Sequence, residues 1–71
     1  MQRKVWMGAP PKACDRCRAA IKKAFIDGAL ADGSAWAILC VECHVRYGTG
    51  LGLGRGQKYV REGLQFVKRG G

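Results

Sequence analysis

The sequence has one histidine, His44, five acidic residues, and no apolar run longer than the seven residues from Ala35 to Val41. That run falls far short of the roughly 20 residues that cross a bilayer, so no membrane partner is expected. Arg3 and Lys4 come early, but Trp6 and Met7 lead into Gly8, Pro10 and Pro11 rather than an apolar segment. No secretory leader is read, and the chain is expected inside the cell. A single histidine cannot both bind a catalytic metal and activate water. Neither GxGxxG nor the P-loop pattern occurs, so no nucleotide cradle and no small-molecule substrate are expected. At 71 residues there is room for one domain and not for a two-domain enzyme.

Positive charge and glycine are in excess. Thirteen Lys and Arg give a net charge of +8, which points to polyanionic partners. Residues 1–23 balance at +6, residues 24–45 at −3 through Asp27, Asp32 and Glu42, and residues 46–71 at +5. The 48% hydrophobic and 25% charged residues are a globular composition, yet 11 glycines far exceed the usual share of about 7%. Some part of this backbone needs glycine. A chain this short buries only about 60% of its unfolded surface and draws no more than about 3 to 5 kcal/mol from its core. A staple is expected.

Cys14 and Cys17 form one CxxC and Cys40 and Cys43 a second, with 22 residues between the pairs. Two residues between cysteines let a tight turn aim both thiolates at one tetrahedral ion, and the second pair completes the shell. The spacing assigns Cys14, Cys17, Cys40 and Cys43 to one Zn2+ per chain. Disulfides or redox use are the alternatives, and a reducing compartment disfavours them. Iron in a rubredoxin-like site is another, but such knuckles resemble CxxCG, and Arg18 and His44 stand in the two glycine places. Metal binding at a site absent from the unfolded chain is folding free energy, about 10 to 16 kcal/mol in finger peptides, and it supplies the staple. Four thiolates and one dication add two negative charges, leaving the zinc form near +6.

Gly8 to Lys12 carries two prolines and reads as part of a basic, extended lead-in over residues 1–13. Cys14 to Cys17 is a knuckle turn. The apolar runs Ala24 to Leu30 and Ala35 to Leu39 flank Ala31-Asp32-Gly33-Ser34, which predicts a β-hairpin. Val41 to Tyr47 predicts a short helix stopped by Gly48, with Cys43 in its first turn. Phe25, Ile26, Leu30, Trp36, Ile38 and Leu39 are the expected core. Trp6, Tyr47 and Tyr59 lie near basic residues, where an aromatic ring either packs over the knuckle or stacks on a base.

Knuckle, hairpin and a helix that brings the last two ligands resemble the treble-clef zinc finger, a small zinc-stapled α+β fold, over residues 14–47. A zinc ribbon is the other fold considered. Leu39-Cys40-Val41-Glu42-Cys43-His44 resembles the LCxxCH segment of HNH-type nucleases built on a treble clef. The whole frame more loosely resembles short zinc-finger proteins encoded by bacteriophages. HNH nucleases carry a histidine general base on the hairpin and a downstream Asn that positions it. This chain has Phe25-Ile26-Asp27-Gly28 in that stretch and no histidine there. The resemblance therefore implies a degenerate module that is not an enzyme. His44 is expected to sit partly exposed beside the thiolates, with a phosphate contact as the alternative.

Residues 48–71 form a Gly-rich arm and basic tail. Glycine recurs at 48, 50, 52, 54 and 56, which in an extended chain sets Thr49, Leu51, Leu53, Arg55 and Gln57 on the opposite face. An ordered arm approached closely by another backbone or a phosphate is preferred over a flexible linker, because exposed leucines do not suit a linker. Tyr59 to Arg69 matches both a helical stripe and a strand. The functional expectation is a non-catalytic zinc protein binding nucleic acid, DNA or RNA, through Arg16, Arg18, Lys22, Lys23, Arg46, Arg55 and Lys58. Arg16, Arg18 and Arg46 should lie together and the acidic hairpin should face away. The alternative is a zinc-stabilised structural or protein-interaction component of a phage particle or other assembly, docked on acidic protein surfaces. The first places the chain in the bacterial cytoplasm, the second in a virion.

Overall fold

In the computed structural model, residues 4–33 and 35–71 are described. The element order is β1 (Ala24–Ala29), β2 (Trp36–Leu39), α1 (Val41–Tyr47), β3 (Gly56–Glu62) and β4 (Gln65–Gly70). The strands form one antiparallel sheet in the order β2-β1-β3-β4, so the fold is α+β with a single helix among the described residues. Trp36 to Leu39 pairs with Ala29 to Ile26, and Ala24 to Gly28 pairs on its other side with Val60 to Gly56. The turn between β1 and β2 is closed by Gly33, whose φ of +78° suits glycine and whose N–H donates to the Leu30 carbonyl at 3.0 Å. Ser34, the last residue assigned to that turn from the sequence, lies outside the described residues.

The helix begins where the sequence placed it. Cys40 is its N-cap, extended at φ −70° and ψ 166°, and its Sγ accepts from the Cys43 N–H at 3.5 Å. At the other end Gly48 is extended rather than left-handed, with φ −86°. Glycine is needed there for space, because a Cβ would run into the His44 ring and carbonyl.

For residues 48–71 one expectation changes and one open reading is decided. The arm is ordered but not extended: Gly50, Gly52 and Gly54 take φ of +91°, +129° and +77°, which turn the chain back on itself. Gly52 then pairs with Gly56, where β3 starts. The tail is a β-hairpin and not a helix. Gly63, with φ +63°, opens a two-residue turn between Glu62 and Gln65, and a bulge between Lys58 and Tyr59 leaves Arg69 as the extra residue. The lead-in is tied to the free edge of β4, with Val5 bridging Val67, Trp6 N–H donating to Phe66 and Lys68 N–H donating to Lys4.

The sheet packs on two clusters. One joins Cys14, Leu39 and Cys43, with Leu30, Ala37 and Cys40 against them. The other joins Phe25, Tyr59 and Phe66, flanked by Trp6, Ile21 and Ile38. Phe25 stacks on Tyr59 at 5.2 Å, and Trp6 meets both edge-on at 5.1 and 5.3 Å. Each such pair contributes about 0.5 to 1.5 kcal/mol beyond its burial. Trp6 and Tyr59 are thus core rings and not stacking platforms. Trp36, expected in the core, is 51% exposed. It opens the edge strand opposite Ala29, at the far end of β1 from Phe25, so no strand flanks it on its outer side.

Candidate metal centre

The first two cysteines are presented by a small turn that closes on itself. Ala13 bridges Ala20, Cys14 N–H donates to the Ala19 carbonyl, and Arg18 N–H donates to the Cys14 carbonyl at 3.0 Å. Closing the turn this tightly puts Arg18 at φ +66°, the only non-glycine among the described residues with positive φ. That is the position where a CxxCG knuckle has glycine. Asp15 fastens the knuckle to the edge strand: its N–H donates to the Ile38 carbonyl at 2.8 Å and its Oδ2 accepts from the Ile38 N–H at 2.9 Å. The helix presents the other two, Cys40 as cap and Cys43 one turn in.

The result is four Sγ atoms within 4.8 Å of one another. Cys17 Sγ and Cys40 Sγ are 3.7 Å apart, far beyond the roughly 2.05 Å of a disulfide, and all four cysteines are free. A tetrahedron with Zn–S bonds of about 2.3 Å has edges of about 3.8 Å, so this spacing fits one ion between the sulfurs. Backbone N–H groups already point at sulfur: Arg16 donates to Cys14 Sγ at 3.4 Å and Cys43 to Cys40 Sγ. Cys14 and Cys43 are buried, Cys40 is half-buried, and Cys17 is exposed.

The thiols divide unequally before metal binds. Burial raises Cys14, but N–H donation from Cys17, Cys40 and Arg16 and the Cys17 thiol outweigh it and bring it down to about 6. Burial pushes Cys43 up to about 12, helped by hydrogen bonds to Cys40, Cys14 and Cys17 and by the charge on Cys14.

The basic residues nominated from the sequence fall in different places. Arg16 stacks its guanidinium over Tyr47 at 4.2 Å, and with Arg46 it lines two shallow depressions of about 260 and 230 Å³, the second also lined by Cys17 and Cys43. Asp32 lines the first and Glu42 the second. The acidic segment therefore does not turn away from these arginines. Its third member, Asp27, sits half-buried on β1, where burial raises its carboxyl and Lys4 works against the rise. Lys22 and Lys23 are exposed at the start of β1, whereas the Arg55 carbonyl accepts from Ala29 at its end, so these bases are separated by about 20 Å of strand. Lys58 is half-buried on β3 opposite Ile26. Arg18 is exposed on the knuckle.

His44 reaches the arm rather than the sulfurs, its Nε2 lying 3.0 Å from the Gly50 carbonyl. The sequence reading overlooked Asp15 as the clamp between knuckle and sheet. Its place directly after Cys14 was the available signal. It also passed over Lys12, which the closing of the knuckle brings beside Lys22 and Lys23, and Arg61, which strand pairing brings there. No family model, curated protein or solved structure matches this chain, so the thiolate cluster and the surface stand on their own geometry.

Proposed function

We propose that this chain is a zinc-stapled, non-catalytic module of the treble-clef type that binds nucleic acid through its basic surface. The observation that carries the reading is the convergence of four cysteine sulfurs on one point. An all-sulfur, four-ligand set suits Zn2+ and leaves no open position for a substrate or water, the mark of a structural rather than a catalytic site. The order of elements supports the treble-clef assignment: a knuckle, the β1–β2 hairpin, and a helix whose cap and first turn supply Cys40 and Cys43. His44 engages Gly50, and residues 25–28 of the hairpin carry no histidine, which supports the absence of strand cleavage.

For the partner, the support is charge. No charged side chain is buried among the described residues, so the surplus is displayed to solvent. A zinc form near +6 on about 5006 Å² of surface attracts phosphate over a Debye length of about 8 Å at physiological salt. The test is titration of a labelled duplex and a labelled single strand at several salt concentrations, on protein shown to hold one zinc. A slope of log affinity against log salt of about −3 to −4 is expected. Salt-independent binding, or none, would leave the assembly reading, in which the same bases meet acidic protein surfaces.

A further inference from the structure

The fold brings four bases that are scattered in sequence to one end of the sheet. The knuckle closes with Ile21 N–H donating to the Lys12 carbonyl at 2.9 Å, which sets Lys12 beside the chain entering Lys22 and Lys23. Arg61 N–H donates to the Lys23 carbonyl at 2.7 Å, continuing the Ala24–Val60 register one residue further. Lys12, Lys22, Lys23 and Arg61 are all exposed. The acid at this end, Glu62, is held by Arg69, and the Asp15 carboxylate is turned onto the Ile38 N–H. At the cysteine end the balance is opposite. There Arg16 and Arg46 share their depressions with Asp32 and Glu42, and the tetrathiolate beside them carries two further negative charges when zinc is bound. Phosphate is favoured at the ridge and not at the knuckle.

The ridge ends in an apolar point. Leu64, at the second position of the two-residue β3–β4 turn, is 95% exposed, and Met7, next after the Trp6–Phe66 bond, is 85% exposed. A narrow hairpin tip with a leucine at its apex and cations behind it matches the way apolar wedges enter a minor groove while bases hold the flanking phosphates. We infer that this chain binds duplex nucleic acid along the Lys12–Lys22–Lys23–Arg61 ridge, with Leu64 seated in the minor groove. The inference rests on the nucleic-acid reading above and fixes the face that carries it.

The experiment uses the zinc-loaded chain, a 20-base-pair labelled duplex and two variant sets, each checked for zinc content and circular dichroism. Replacing Lys12, Lys22, Lys23 and Arg61 by Gln should cut affinity at 50 mM salt at least about 100-fold and flatten the salt slope by about 3. Replacing Arg16 and Arg46 by Gln should move the slope by less than about 0.5. Leu64→Ser should keep the slope but abolish duplex bending read by end-to-end energy transfer. If the ridge variant binds like the parent and the Arg16/Arg46 variant does not, the ridge is wrong while the nucleic-acid reading survives. Bending retained in Leu64→Ser overturns the groove contact. A parent that ignores every duplex and single strand overturns the reading itself. One that instead binds vesicles containing phosphatidylserine reassigns ridge and tip to an anionic lipid surface.

Discussion

Arg18 is the one non-glycine residue among the described residues with a left-handed backbone. Its φ of +66° is imposed by the knuckle's closing bonds, and an L side chain there costs roughly 1 to 2 kcal/mol. Arg18→Gly is expected to stabilise the zinc-bound protein by about 1 kcal/mol, read as a rise in Tm of about 4 to 8 °C. Arg18→Ile should lower Tm, since a branched Cβ tolerates this region worst. Asp27 offers a second test at this scale. Burial raises its carboxyl above the ordinary 3.8, so in the window above that value the native state binds more protons than the unfolded chain and stability falls as pH rises. Asp27→Asn should therefore raise Tm at pH 7.5, and the gain should shrink as pH falls toward 3.8. A gain that did not change down to that pH would mean that lost charge is not the cause. The same carboxylate raises Tyr59 after burial has done so, and the Asn variant should bring the Tyr59 phenol back toward 10 in an ultraviolet titration.

Among the elements, the arm makes glycine a requirement of packing as well as of turning. Gly56 faces Gly28 across the β1–β3 pair, and a Cβ on Gly56 would stand 3.0 Å from the Gly50 carbonyl and 3.2 Å from Ile26 Cγ2. Gly56→Ala is expected to cost about 1 to 3 kcal/mol, seen in thermal or denaturant unfolding. Gly54→Ala meets no neighbour within 4 Å, but φ is +77°, so its penalty is backbone strain alone and should be about 1 kcal/mol. This separation explains what the sequence could convey. The hairpin and helix were legible because Asp32-Gly33 and Gly48 punctuate runs with a clear period. Alternating glycine has no such content: it is compatible with an extended face and equally with three left-handed turns, and only the closing Gly52–Gly56 pair decides. In the tail, Gly63 splits one apolar pattern into two strands, which is why both a helical and a strand period fitted Tyr59 to Arg69.

Across the whole molecule, the cysteine cluster was readable and the proposed binding face was not, for one reason. CxxC places its ligands locally, and the helix start at Cys40 needs nothing distant. Arg61 joins Lys22 and Lys23 only because β3 returns to pair with β1, bringing it to Lys23 across 38 positions of sequence. The same topology sets how the fold answers metal loss. One core cluster is made largely of the ligands themselves, Cys14, Cys40 and Cys43 with Leu39, and the other is the aromatic group around Phe25. β2 serves both, since Ile38 packs in the aromatic group and Leu39 around sulfur, and β1 carries Phe25 in the first and runs on into Leu30 in the second. Losing the ion leaves the knuckle held to β2 by the two Asp15 bonds and the packing of Cys14 on Leu39. Chelation at neutral pH is therefore expected to unfold the chain in one step, with near-ultraviolet dichroism of the aromatic group and far-ultraviolet dichroism lost together. Acid should do the same at constant zinc, because protons compete with the ion for every sulfur. Cys40→Ser should reproduce the chelated state. An aromatic signal that survived chelation while zinc left would show that the Trp6–Phe25–Tyr59–Phe66 group folds by itself, and the ion would then be ordering the knuckle and helix rather than the sheet.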